Sequence, residues 1–239
     1  MFGLGTIINC SAIIIAGIAG MVFRNHLRES MQDTLMKADG VAVIFIGIAG
    51  ALSKMLVIKS GTIETTGTMM MIISLSLGAI LGEMLDLDGK MIHFGEWLKI
   101  KTGNAKDKKF VDGFVMASLT VCIGAMAVVG SIEDGIHANH SILFAKAVLD
   151  FVIILVMSAT LGKGCLFSFV PVGLFQGTIT LLSSLISPFI TASAMSALSY
   201  VGSILIFCVG INLVFNTKIR VANLLPALIV ACICTVFPL

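Results

Sequence analysis

The chain has 239 residues, of which 58% are hydrophobic and 12% charged, with a net charge of +2 and a mean hydropathy of +1.09. Soluble domains carry about 25% charged residues, so the composition excludes a water-soluble globular protein and makes the lipid bilayer the chain's main partner. Successive apolar runs of roughly 20 residues, each able to cross about 30 Å of hydrocarbon, point to helices and away from a β-barrel, whose strands alternate every second residue.

A single all-α transmembrane domain over 1–239 is therefore expected, with about eight spans: 3–23, 40–58, 67–85, 111–130, 141–161, 167–190, 195–215 and 221–237. The first has neither a basic stretch before it nor a small-residue cleavage site after it, which predicts a retained helix and not a signal peptide. The sixth contains Pro171, Gly173, Gly177 and Pro188, so a re-entrant segment, leaving seven crossings, is its alternative. Between spans, 25–37 and 91–100 place apolar residues at helical spacing among charges and predict short helices lying in the membrane interface, the second anchored by Trp97. The stretch 102–109 is a solvated basic linker, and no nucleic-acid role is expected of it.

Basic residues stay on the cytoplasmic side. With eight crossings, Arg24, Arg28, Lys37, Lys90, Lys99, Lys101, Lys106, Lys108, Lys109, Lys163, Lys218 and Arg220 all fall on one face, and both termini lie outside. A re-entrant sixth span would move Lys218 and Arg220 outside, so charge favours eight. Cys10, Cys122, Cys165, Cys208, Cys232 and Cys234 sit in or beside apolar spans without metal-like spacing and are expected to be buried small hydrophobes.

Weak internal similarity suggests repetition. Gly5-Thr6-Ile7-Ile8 is echoed by Gly177-Thr178-Ile179-Thr180, and Gly40 with Ile44-Phe45-Ile46-Gly47-Ile48 by Gly202 with Ile206-Phe207-Cys208-Val209-Gly210-Ile211. Halves 1–86 and 167–239, joined by 111–161, would then be inverted three-helix repeats, the arrangement of many transporters.

The polar residues inside the spans are the candidate site. Lys146 and Asp150 lie one turn apart in the fifth span and face the same way. An ionisable group at membrane depth costs on the order of 3 kcal/mol on insertion scales and is usually turned toward partners or water. Asp150 is expected to hold a cation such as Na+, or a proton, with Lys146 competing for its charge; a structural pair with Lys146 reaching toward the interface is the alternative. Gln176, Thr178 and Thr180 supply polar contacts in the broken sixth span, and Ser118 and Thr120 a facing wall. Asn9, Asn212 and Asn223 either line a pathway or bond between helices. Glu83 and Asp86 are expected to be solvated or capping carboxylates, and Glu133, Asp134, His137 and His140 an acidic outer loop. No Walker loop, HExxH or nucleophile elbow occurs, and no cofactor or enzymatic activity is expected.

Gly5-Thr-Ile-Ile-Asn9, Ser74-Leu-Ser-Leu-Gly-Ala-Ile-Leu-Gly-Glu83 with Leu85-Asp86, Ala117-Ser118 leading to Gly124-Ala-Met-Ala127 and Gly130-Ser131, Ala159-Thr-Leu-Gly162 and Gln176-Gly-Thr-Ile-Thr180 form an ordered set over nearly the whole chain. In these motifs the chain resembles the YdfK/YqgA-like family of bacterial inner-membrane proteins, a domain of unknown function. The resemblance implies a bacterial cytoplasmic-membrane location and a transport role with no assigned substrate; it carries over no functional residues. The expected function is a secondary transporter of a small solute or ion, coupled to an ion gradient, with a passive channel or a non-transporting scaffold as alternatives. Gly17 with Gly20, Gly78 with Gly82, and the stretch 124–130 offer small-residue faces for a homo-oligomer.

Overall fold

Backbone groups in hydrocarbon must be satisfied within their own segment, which leaves helices as the available solution for an apolar chain of this kind. The computed structural model describes residues 2–59 and 61–235, and helices dominate it. In order they are α1 (Leu4–Arg24), α2 (Glu29–Met55), α3 (Thr68–Leu85), α4 (Leu87–Lys101), α5 (Phe110–Cys122), α6 (Ala125–His137), α7 (Ser141–Leu161), α8 (Phe169–Leu181), α9 (Ser183–Ile186), α10 (Ala192–Phe215) and α11 (Pro226–Cys234). Strands β1 (Leu56–Lys59) and β2 (Thr62–Thr65) form an antiparallel hairpin between α2 and α3, with Leu56 opposite Thr65.

Among the described residues, six helical segments are long and apolar enough to cross a membrane: α1, α2, α3, α7, the run Lys163–Leu181 and α10. The pair α5 and α6 makes a seventh if it is one span, bent by 62°. The eighth expected span is a shorter apolar helix, Val221–Cys234, and its predicted end at Phe237 lies outside the described residues.

Side-chain placement suits lipid. On α2, Gly40, Val43 and Gly47 are buried while Phe45 and Ile46 are more than half exposed, so bulk faces outward and small residues face the bundle. The small residues fix which helices meet. Gly5 lies against Leu143 and Gly20 against Leu155 and Ser158, so α1 and α7 run parallel. Gly17 meets Leu166 while Gly173 meets Cys10, so α8 and the turn before it run antiparallel to α1. Gly40 meets Val214, Gly47 meets Phe207 and Gly50 meets Ser203, an antiparallel pairing of α2 with α10; Gly78 on Ala227 and Gly82 on Asn223 pair α3 with α11 in the same sense.

These contacts correct one expectation. Gly17, Gly20, Gly78 and Gly82, read as faces for a second copy, are consumed by helices of the same chain. The approach at Gly82 is so close that any β-carbon would overlap the Asn223 carbonyl. Gly82→Ala is therefore expected to push α3 off the Val221–Leu224 turn at a cost of about 1–3 kcal/mol. A melting curve in detergent checks this, and an unchanged midpoint would contradict the packing.

Other boundaries also move. The interfacial helix expected over 25–37 is the first part of α2 and not a separate element, because nothing interrupts the helix between Glu29 and Met55. The 91–100 helix is present as α4, with Phe94 stacked on Trp97 at 5.8 Å. The sixth span is not broken at Pro171: the proline sits in the first turn of α8, where its missing N–H costs nothing, and the helix ends later at Leu181. The expected span 167–190 breaks after Leu181, where α9 and a 3-10 turn holding Pro188 follow, and a second break falls in the fourth span. Ile123 turns to an extended conformation (ψ 123) and Gly124 adopts φ 148, ψ 149, which ends α5 and restarts the chain as α6.

A buried ion pair at a helix break as candidate functional site

Lys146 and Asp150, one turn apart on α7, face into the bundle together. Because α1 packs parallel to α7 through glycines, Asn9 reaches Asp150, its Nδ2 donating to Oδ2 at 3.0 Å. The antiparallel α8 brings Gln176 to the same place, with Asn9 Nδ2 also 3.4 Å from Gln176 Oε1. Exposure is 0% at Asn9, 1% at Gln176, 3% at Asp150 and 6% at Lys146, so this four-residue cluster is shut off from solvent and lipid.

The Lys146 ammonium uses its three donors on three acceptors: Asp150 Oδ1 at 2.8 Å, Asp150 Oδ2 at 2.7 Å and the Val121 carbonyl at 2.7 Å. The last contact depends on the break. The final carbonyls of a helix lack intrahelical partners, and α5 ends inside the bundle, with Val121 fully buried, where no water replaces them. Lys146 caps one of them. It does not extend to the interface, which removes the alternative of an outward-reaching lysine.

The charges are satisfied but the amides are not. Asn9 Oδ1 and Gln176 Nε2 are buried without a hydrogen-bond partner among the described residues. Orphaned polar atoms of this kind are rare in protein interiors because each costs about 1–3 kcal/mol. Further along the α1–α8 seam, the antiparallel register that matches Asn9 to Gln176 sets Thr6 opposite Thr180, and both hydroxyls are also buried and unpartnered. Beyond them, the fully buried Asp134 of α6 accepts from the Gly5 amide at 3.2 Å and lies 2.5 Å from His140 Nδ1. A strip of polar groups thus runs from His140 to Lys146.

The other expected site residues lie elsewhere. Thr178 is exposed, because positions 176 and 180 share the inner face of α8 and 178 is turned the other way; it borders an apolar surface groove with Phe94, Pro171 and Leu174. Ser118 and Thr120 donate to their own helix at Phe114 O and Met116 O, at 2.6 and 2.8 Å, so α5 reaches the cluster through Val121 and not through this wall. Asn212 ties down the loop after α10, donating to Ile219 O at 2.8 Å and accepting from Thr217 Oγ1 at 2.7 Å. Asn223 donates to Glu83 Oε2 at 2.5 Å, and Arg220 pairs with Glu83 and Asp86, so these carboxylates hold α3 and α4 to the turn before α11. Asp134 and His140 are parts of helix packing and not of an open acidic loop.

The break at Gly124 and the orphaned hydroxyl of Thr6 were not among the expected features. The first had a local signal, a glycine following a β-branched residue inside an apolar span, and the second had none.

Comparison with known proteins adds kinship without chemistry. The family described as "Protein of unknown function (DUF554)" matches residues 4–236. The chain is 28% identical over 227 residues to an "Uncharacterized membrane protein YdfK" of Bacillus subtilis (strain 168), covering 95% of this chain and 93% of the relative. It is 27% identical over 232 residues to an "Uncharacterized protein YqgA" of Escherichia coli (strain K12), covering 95% and 94%. No solved structure matches.

Proposed function

The chain belongs to the DUF554 family, and from the geometry of its buried cluster we propose that this multi-pass membrane protein is a secondary transporter of a small solute or ion, coupled to an ion gradient. The observation that carries the reading is the Asp150–Lys146 pair at the end of a broken helix, beside amide groups of Asn9 and Gln176 that lack partners. A purely structural clamp has no use for orphaned amides, whereas a site between guests does. Broken helices at membrane depth are tolerated where they are buried in protein or line a cavity, and transporters use them to present backbone dipoles to substrates.

Three antiparallel pairings support alternating access: α1 with α8, α2 with α10, and α3 with α11. They match each member of the first expected repeat with its counterpart in the second, so a closed cluster on the seam between halves opens when the halves shift. The cluster as it stands corresponds to an occluded state. A location in the bacterial cytoplasmic membrane with both termini outside belongs to the same proposal, as does a homo-oligomer. Single cysteines at Glu64, His137 and Thr191, in a background without the native thiols, are expected to be labelled by an impermeant reagent from the outside. Labelling only from the cytoplasm would reverse the orientation.

A scaffold reading is favoured by one observation, that Asp150 and Lys146 already satisfy each other. Vesicles decide between the two. Proteoliposomes containing a pH-sensitive dye and given an inward gradient of sodium, potassium or lithium are expected to show an internal pH change that Asp150→Asn abolishes. An equal response from Asp150→Asn vesicles would remove the cluster from transport.

A further inference from the structure

We propose that Lys146 is the proton carrier of a cation-for-proton exchange: an alkali-metal cation takes the place of the Lys146 ammonium on Asp150, and Lys146 gives up its proton to water. The inference rests on the transport reading above and specifies the coupling of that same site.

The donor set identifies the ion class. The oxygens in and around the pair are one carboxylate, Asp150, and the side-chain oxygens of two neutral amides: Asn9, which turns its Nδ2 to Asp150 and leaves Oδ1 unpartnered, and Gln176, whose Oε1 accepts only a 3.4 Å bond. No group of three or more His, Cys, Asp or Glu side chains placed to hold a metal occurs among the described residues, which disfavours zinc, iron or calcium. A single negative charge supplemented by neutral oxygens suits a monovalent hard cation. The lysine already occupies that place, its ammonium 2.7 and 2.8 Å from the two carboxylate oxygens.

Charge balance then dictates the exchange. Asp150 and a protonated Lys146 are neutral together, and an added cation would leave a net positive charge closed off at membrane depth. Neutrality returns when Lys146 Nζ–H transfers a proton to water as the cation binds Asp150, so one cation enters for each proton leaving. The neutral amine keeps a hydrogen-bond acceptor, the Val121 carbonyl at 2.7 Å, which holds it beside the site for reprotonation. Other titratable groups are poor substitutes. Cys10 of α1 and Cys122 of α5 are the ones near the pair, Asp134 of α6 lies further out in contact with His140, and α2 and α8 bring none at this depth. Neither thiol touches Asp150 or Lys146 by a hydrogen bond, whereas Lys146 holds both carboxylate oxygens directly.

The experiment adds sodium chloride to the purified full chain in weakly buffered detergent, with choline chloride as the control, and reads released protons and melting temperature together. The wild type is expected to release one proton for each sodium bound and to melt higher. Lys146→Gln is expected to gain more stability from sodium than the wild type while releasing no proton. Lys146→Arg keeps the positive charge but cannot deprotonate, and is expected to show neither proton release nor a sodium-dependent shift. Sodium stabilisation of the wild type without proton release, proton release undiminished in Lys146→Arg, or no response of the wild type to sodium, potassium and lithium would each overturn the exchange. The vesicle response to Asp150→Asn is read separately, so loss of the exchange and loss of the transport reading are told apart.

Discussion

Lys146→Gln in the absence of added alkali cations is expected to destabilise the protein by about 3–5 kcal/mol, and Asp150→Asn by a similar amount, because each leaves one buried charge with no counter-charge. The double variant Lys146→Gln with Asp150→Asn is expected to recover most of that loss. Two neutral amides can keep the hydrogen bonds to Asn9 and to the Val121 carbonyl without any buried charge. A thermodynamic cycle from melting curves in choline-based buffer measures the coupling. Additive single effects, with the double variant the least stable of the three, would mean that the pair does not act as a unit.

Gly124→Ala is expected to have the next largest effect. Gly124 sits at φ 148, ψ 149, a region in which an L side chain is strained, yet a β-carbon there would meet no atom within 4 Å. The cost is therefore in the backbone, about 1–3 kcal/mol. Relaxing φ toward the helical range would rejoin α5 to α6 and withdraw the Val121 carbonyl from Lys146. Both the melting temperature and the cation-driven vesicle signal are expected to fall. A variant as stable and as active as the wild type would show that the break is not part of the site.

The ion pair was legible in the sequence because two opposite charges one turn apart in an apolar run have few places to go except inward. Asn9 and Gln176 were visible for the same reason, though their meeting was not, since it depends on how α1 and α8 align. Thr178 was misplaced although the helical period distinguishes it from Gln176 and Thr180; counting polar residues in a segment does not say which face they occupy. Pro171 suggested a break because the span was read from 167, whereas the regular helix starts at Phe169 and leaves the proline in its first turn. The break at Gly124 was hidden among glycines that serve close packing. Gly17 and Gly78 show the complementary difficulty: a small-residue face announces a neighbour without saying whether that neighbour is the same chain.

Beyond the cluster the polar strip continues along the α1–α8 seam. From Asp134, which holds the Gly5 amide at the start of α1, through Thr6 and Thr180 to Asn9 and Gln176, the side chains of α1 and α8 present hydroxyls and amides where the neighbouring faces are aliphatic. On the proposed transport reading, a shift of α1 relative to α8 opens this seam toward the hairpin end; at the other end Gly17 packs on Leu166 and Gly162 lies beside Arg24.

The claim that the cluster handles a guest, and does not merely clamp helices, is tested most directly by reconstituting the double variant Lys146→Gln with Asp150→Asn beside the wild type. With equal incorporation and comparable melting temperatures, the account predicts a cation-driven pH signal from the wild type and none from the double variant. Equal signals from both would show that the buried charges serve the fold alone.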